Sequence, residues 1–353
     1  MTILAIESSC DETAAAVVRD GREILSNIVS SSASLHEKYG GIIPEKAARE
    51  QVKCIVPVID EALRFADTNL EKIDAIAVTV GPGLIGSLLV GVEAAKTLSL
   101  VSNIPLIPVN HVLAHLYANF LTEDKPPAFP CLGLVVSGGH TELYLLKNHQ
   151  EISWLGGTLD DAAGEAFDKT ARLLKLGFPG GPAIAAEAAK VKRSLPASRQ
   201  ENIKGKIRLP RPMIGNSNLN FSFSGLKTAV LREVQKAEKE GMMAKRKTEL
   251  AFEIEEAITD VLIKKTLDAA ERHQVKSIII GGGVAANKRL TEKFKFKIQS
   301  RLYRDKIELH IPPPSLCTDN AAYIASYAFF RDKQVSWQKV EAQPGLDAET
   351  TAI

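Results

Sequence analysis

The chain has 353 residues, 45% hydrophobic and 24% charged, with a formal charge of +2, the balance of an ordinary soluble globular protein long enough for two lobes with separate cores. Its four cysteines, Cys10, Cys54, Cys131 and Cys317, lie far apart without a Cys-x-x-Cys pair, which disfavours a disulfide framework or a cysteine-only zinc site and fits a reducing cytoplasm. No basic leader precedes the first strand, and no apolar run approaches membrane-spanning length, so neither a targeting peptide nor a membrane partner is expected.

In chain order, residues 2–6 are an apolar strand, 8–13 a polar turn and 14–18 a second strand. Residues 45–66 have helical period, 75–80 form a buried strand, and a helix over 87–100 follows Gly81-Pro82-Gly83. In Asn110-His111-Val112-Leu113-Ala114-His115, the two histidines stand four apart. On a helix that spacing sets both imidazoles on one face, within reach of one ion, although a helix surface or a core accepts the same pair without any metal.

The opening pattern then repeats. Residues 132–136 form a strand, Ser137-Gly138-Gly139-His140-Thr141 a polar turn, and 143–146 a second strand. Helices are predicted over 160–176 and 181–192, with a long one over 249–273 leading into the strand 277–280 and the turn Gly281-Gly282-Gly283. Residues 194–224, with their prolines, read as an extended excursion. Between Glu187 and Glu249 stand 15 lysines and arginines against 6 acids. This suits an anionic partner but equally a solvated insertion kept soluble by its lysines. Pro312-Pro313-Pro314 halts the chain before Thr318-Asp319-Asn320 opens a helix to Phe330, and the last 20 or so residues, polar, are expected to be poorly ordered.

The two copies imply an α/β protein of two related lobes, the N-terminal over residues 1–131 with the His-x-x-x-His helix, the C-terminal over 132–330 with its basic excursion at about 187–249, then a polar tail over 331–353. The layout is that of the actin, Hsp70 and sugar-kinase superfamily, in which the two hairpin turns face a ligand cleft. Glycine-rich turns let backbone amides approach an anion closely. With the histidine pair they suggest metal-assisted transfer from a nucleotide-like donor.

Seven segments carry a more specific resemblance: Ile6-Glu7-Ser8-Ser9-Cys10-Asp11-Glu12-Thr13, His36 to Glu45, Gly81-Pro82-Gly83, His111-x-x-x-His115, Ser137 to Thr141, Phe221-Ser222-Phe223-Ser224-Gly225-Leu226-Lys227-Thr228-Ala229 and Gly281 to Asn287. In this order they closely resemble the bacterial tRNA N6-adenosine threonylcarbamoyltransferase family, from residue 2 to about 330. The resemblance implies transfer of a threonylcarbamoyl group from threonylcarbamoyl-AMP to N6 of the adenosine beside the anticodon, in tRNAs that read codons beginning with A, with AMP released. It places metal ligands on His111, His115 and Asp319, and donor-binding positions on Val135, Val136, Ser137, Gly138, Gly139, Asp168, Gly181 and Asn287. It also implies an inactive paralogue of the same fold as heterodimer partner and a small P-loop ATPase.

Two imidazoles and a carboxylate make a three-ligand site with open positions for one divalent metal, iron ahead of zinc, acting as a Lewis acid. Asp319 equally suits a helix cap, Asp168 a solvated helix face and Asn287 a turn or cap. Asp11 and Glu12, in the first hairpin turn, are candidates for orienting the incoming amine or holding the metal shell, and equally suit a turn exposed to water. Lys190, Lys192, Arg193, Arg199, Lys204, Lys206, Arg208 and Arg211 are candidates for tRNA phosphate contacts. Gln51, Ala185 and Asn220 depart from the family pattern, and Ala185 puts one donor contact in doubt. A metalloprotease of the His-Glu-x-x-His type needs a glutamate where Val112 stands, and a kinase or Hsp70-like binding module has no need of the two histidines.

Overall fold

The computed structural model describes residues 1–32, 41–121, 125–191, 207–299 and 307–346. They form two compact units: Met1–Pro127 with Lys147–Ser153 and Pro312–Ile353, and Ala128–Leu146 with Trp154–Ile311. The chain enters the second unit near the expected start of the second lobe. It then returns to the first unit twice, so helix 322–331 belongs to the unit built by the N-terminal residues.

The first unit is built on a five-stranded sheet of β1 (Thr2–Glu7), β2 (Glu12–Arg19), β3 (Glu23–Ser31), β4 (Ala75–Gly81) and β5 (Leu106–Asn110), in the order β3-β2-β1-β4-β5. β1 runs antiparallel to β2 and parallel to β4. Leu4, Ile6, Val17, Ile76 and Val78 share one core with Ile55, Val58 and Ile59 of α1 (Pro44–Phe65) and Val92 of α2 (Ile85–Ser102). Alternation sends Ala5 to the opposite face, where it pairs in register with Ala16 and Ala77. These small side chains let α9 (Ala322–Arg331) lie close against β1 and β2. The short α3 (His111–Tyr117) leaves β5 directly, started by Asn110, whose side chain accepts the Leu113 N–H at 3.1 Å.

The second unit repeats that plan. Its sheet holds β6 (Cys131–Val136), β7 (Thr141–Leu146), β8 (Ile152–Gly157), β9 (Ser277–Gly281) and β10 (Glu308–His310), in the order β10-β9-β6-β7-β8. Around it run α4 (Ala163–Leu173), α5 (Gly180–Ala188), α6 (Ser224–Lys239), the 30-residue α7 (Met243–Arg272) and α8 (Lys288–Ile298). Each sheet thus begins with an antiparallel hairpin and then adds two parallel strands on the other side of its first strand. This is the architecture expected from the repeated strand-turn-strand pattern.

Three expectations need correction. The segment 85–102 is long and apolar enough to cross a membrane by length and composition, contrary to the reading that no run is. It is a largely apolar helix whose Ser87, Leu88, Gly91, Val92 and Ala95 are buried in the unit, while Leu89, Leu100 and Val101 stand exposed. The tail is not loose over its described part. Val335 bridges Leu106, Gln343 N–H donates to the Val80 carbonyl at 2.6 Å, and Val340, 1% exposed, enters the core with Trp337 and Leu346 packed about it. A few apolar side chains spaced through a polar stretch suffice to anchor it. The helix at the Thr318-Asp319-Asn320 corner begins at Ala322 rather than at Asp319, because the Asn320 side chain accepts the Ala322 N–H at 3.0 Å.

Candidate metal centre

His111 opens α3 and His115 follows one turn later, so both rings leave the helix on one side, with centroids 4.7 Å apart. The late start of α9 leaves the Asp319 carboxylate clear of capping duty. Its Oδ1 lies 3.5 Å from His115 Nε2 and 3.8 Å from His111 Nε2, and Tyr323 donates to the same oxygen at 3.4 Å. One ligand atom from each of the three residues lies within 4.8 Å of the others. Ligands of a first-row divalent ion, each about 2.1 Å from it, stand roughly 3 to 3.5 Å apart. The two histidine–Asp319 pairs are already near that spacing, and closing the widest pair on a cation asks for a contraction of about an ångström. Asp319, 204 residues from His115 in sequence, is thus brought to both histidines as the resemblance implied.

The surrounding charge favours such a cation. Burial lifts the Asp319 carboxyl to about 6; His111 opposes that rise, while Glu7 and Asp11 add to it. Glu12 is pushed up to about 10, by burial first and then by Asp319 and Asp11. Acids forced to retain protons mark a place that lacks positive charge. His111 moves the other way. Burial works against its charged form, yet Glu7 and Asp319 outweigh that and raise it to about 9.

Asp11 and Glu12 occupy the β1–β2 turn and the first position of β2, in the same unit as the three candidate ligands. Elements from elsewhere hold the turn. The Ser9 carbonyl accepts from Leu84 N–H at 2.8 Å, the Cys10 carbonyl from Ser87 Oγ at 2.9 Å, and Gln51 Nε2 donates to the carbonyls of Cys10 at 3.1 Å and Glu12 at 2.9 Å. Gln51 therefore serves the turn itself. His36 to Gly40 lie outside the described residues.

The candidate donor positions all fall in the second unit. Ser137 to His140 form a tight turn, with Ser137 N–H donating to the His140 carbonyl at 2.9 Å and Ser137 Oγ accepting from His140 N–H at 3.1 Å. α4 and the β9 turn press close behind it. A Cβ on Gly164 would stand 2.4 Å from the Ser137 carbonyl oxygen, and one on Gly282, whose φ is +94°, 2.3 Å from that of Val136. Gly138, Gly139 and Gly181 have open space where a side chain would be. Backbone there is accessible to a ligand.

The other positions are more committed. Val135 and Val136 are fully buried in β6, between β7 and β9, and set the turn through the strand rather than by their side chains. Asp168 Oδ1 accepts the Gly180 N–H at 2.6 Å, tying α4 to the start of α5 beside Gly181. Asn287 caps α8 through Leu290 N–H at 2.9 Å and donates to Glu255 at 3.1 Å. Ala185, on α5, offers only a methyl group, and Asn220 accepts the Gly157 N–H at 3.3 Å.

In the basic segment, Lys192, Arg193, Arg199, Lys204 and Lys206 lie outside the described residues. Arg211 pairs with Glu253 and, at 3.0 Å, with Asp260, and Lys190 pairs with Glu187 at 2.6 Å. Arg211 is thus held between two carboxylates.

Sequence reasoning passed over Glu7, Thr79 and Tyr323, which surround the histidines and Asp319. The available signal was a charged residue closing the otherwise apolar strand Ile3-Leu4-Ala5-Ile6-Glu7.

Repeated sheets and a two-histidine, one-carboxylate cluster define a two-unit α/β protein with a candidate metal centre in its first unit. HypF of T. kodakarensis has a similar fold, with TM-score 0.56 at 14% identity over 93% of this chain and 47% of that one. The family model described as tRNA N6-adenosine threonylcarbamoyltransferase matches residues 23–326. Proteins of that name from Persephonella marina and Bacillus subtilis are 49% and 45% identical to this chain, over 95% and 98% of it and 91% and 96% of their own lengths. The chain belongs to the tRNA N6-adenosine threonylcarbamoyltransferase family.

Proposed function

We propose that this protein transfers the threonylcarbamoyl group of threonylcarbamoyl-AMP to N6 of the adenosine beside the anticodon, in tRNAs reading codons that begin with A. The N6 nitrogen bonds to the carbamoyl carbon, the bond from that carbon to the phosphate oxygen breaks, and AMP leaves as the amine gives up a proton. Family membership over nearly the whole chain carries this reading, and the gathering of His111, His115 and Asp319 supports its metal dependence.

An adenine amine is a weak nucleophile, so polarising the carbamoyl carbon and stabilising the departing AMP matter more than a strong base. His111, His115 and Asp319 would hold a divalent cation, iron rather than zinc given the two-imidazole, one-carboxylate set, which would supply Lewis-acid polarisation. Amides of the Ser137-Gly138-Gly139 turn receive phosphate or acyl oxygens, with Val135 and Val136 fixing that turn. Asp168, Gly181 and Asn287 serve the ribose and adenine; each amide atom of Asn287 keeps capacity for one further hydrogen bond beyond those it makes. Asp11 and Glu12 orient the incoming amine.

The same reading brings partners: tRNA, met in part by the basic segment that includes Arg208, an inactive paralogue of this fold, and a P-loop ATPase, all in the cytoplasm. The paralogue is supported by the apolar outer faces of α1 and α2, where Val52, Val56 and Leu89 stand exposed. That much apolar surface on adjacent helices suits a protein interface. Incubation with threonylcarbamoyl-AMP and unmodified tRNA, together with paralogue and ATPase, is expected to yield the modified nucleoside by mass spectrometry. An unmodified tRNA under those conditions rejects the reading.

A further inference from the structure

We infer that Glu7 is a positioning residue of the metal centre, holding His111 in the tautomer and ring orientation that aim its Nε2 at the cation. This rests on the metal reading given under Proposed function.

The inference begins with strand register. Glu7 ends β1, on the sheet face it shares with Ala5, the face against which α9 packs. Alternation leaves it no other direction, and Thr79 of the neighbouring β4 points the same way, since Ile6 pairs with Val78. Glu7 is 1% exposed. A buried carboxylate is costly unless it is hydrogen-bonded, and here its donors are specific. Oε1 accepts from Ser9 N–H at 2.5 Å, while Oε2 accepts from Thr79 Oγ1 at 2.6 Å and from His111 Nδ1 at 3.0 Å.

Two fixed donors therefore lock the carboxylate before it meets the imidazole. With its proton on Nδ1 facing Glu7, His111 presents the Nε2 lone pair toward Asp319, 3.8 Å away. Ser9 Oγ, 3.2 Å from the same Nδ1, adds a second polar group on that side of the ring. A carboxylate behind a ligating histidine raises the ligand's basicity and fixes its aim. Glu7 Oε2 is thus the carboxylate oxygen that meets His111 Nδ1.

The test is cobalt(II) binding by the full-length chain, measured by chelator competition and by the visible d–d spectrum. Glu7→Gln keeps the volume and removes the charge; Thr79→Val leaves Glu7 in place but loosens it. Glu7→Gln is expected to weaken cobalt affinity about 10- to 100-fold and to shift the spectrum, and Thr79→Val to do the same more weakly, with melting temperatures near wild type. If the wild type binds cobalt and Glu7→Gln matches it in affinity and spectrum, the inference fails alone. If the wild type binds no cobalt, the metal reading fails and takes the inference with it.

Discussion

At the scale of single residues, chemistry is set by what each side chain is obliged to do for the fold. Asp319 is available as a ligand because its neighbour Asn320 takes the capping bond at the head of α9. Asn287 shows a shared case, since its amide caps α8 and binds Glu255 yet keeps one further hydrogen-bonding site on each amide atom. His149 offers a measurable consequence away from the metal. Its ring stacks on Phe330 with centroids 4.1 Å apart, and burial, followed by Arg22 and Arg331, pushes its pKa down to about 4. The folded state thus holds this imidazole neutral where the unfolded chain, titrating near 6.5, already binds a proton. Its contribution to stability is complete above pH 6.5 and is lost as pH falls toward 4. His149→Phe, which keeps a ring against Phe330, should flatten the fall in melting temperature between pH 6.5 and 4; an unchanged slope would show that His149 does not contribute to it.

At the scale of elements, tight approaches of backbone to backbone place the turns. Gly282 sits at φ +94° with the Val136 carbonyl oxygen 2.3 Å from where a Cβ would lie. Gly282→Ala therefore combines a conformational penalty of about 1–3 kcal/mol with displacement of the strand that carries the Ser137 turn. Urea denaturation should report a loss of at least the lower part of that range, and wild-type stability would mean that the turn relaxes freely. The tail gives a second test. Val340→Asp places a charge in the core against Ile55 and Leu106, and the loss of buried apolar area alone costs about 1.5–3 kcal/mol. A melting temperature equal to wild type would show the tail detached in solution.

The hairpins β1–β2 and β6–β7 were legible in the sequence to within two or three residues, since apolar runs broken by a polar turn admit few other readings. α6 was not, because Phe221-Ser222-Phe223-Ser224 resembles loop chemistry, and its N-terminus is completed by Asp160, 63 residues from Phe223, which accepts the Phe223 and Ser224 N–H groups. β3 was not singled out either, being a half-exposed edge strand of mixed polarity. Local pattern finds elements but not partners brought from a distance.

At the scale of the whole molecule, two units with the same sheet order divide the residues on which function is argued. The candidate ligands and the Asp11-Glu12 turn lie in the first, the candidate donor-binding turns in the second. The histidine pair and glycine turns were visible as motifs, but motif spacing alone left both ordinary. Asp319 could be assigned only by family resemblance, since nothing local joins it to residues 111 and 115. Glu7 went unnoticed because its role exists only once β1, β4 and α3 are side by side.

The most direct measurement combines metal content with transfer. Purified wild type and His115→Ala are each assayed, with paralogue and ATPase present, for iron and zinc per chain and for threonylcarbamoyladenosine formed in unmodified tRNA. The account predicts about one metal ion per wild-type chain and formation of the modified nucleoside, with both lost or strongly reduced in a folded His115→Ala. Undiminished modification by a metal-free His115→Ala would contradict it.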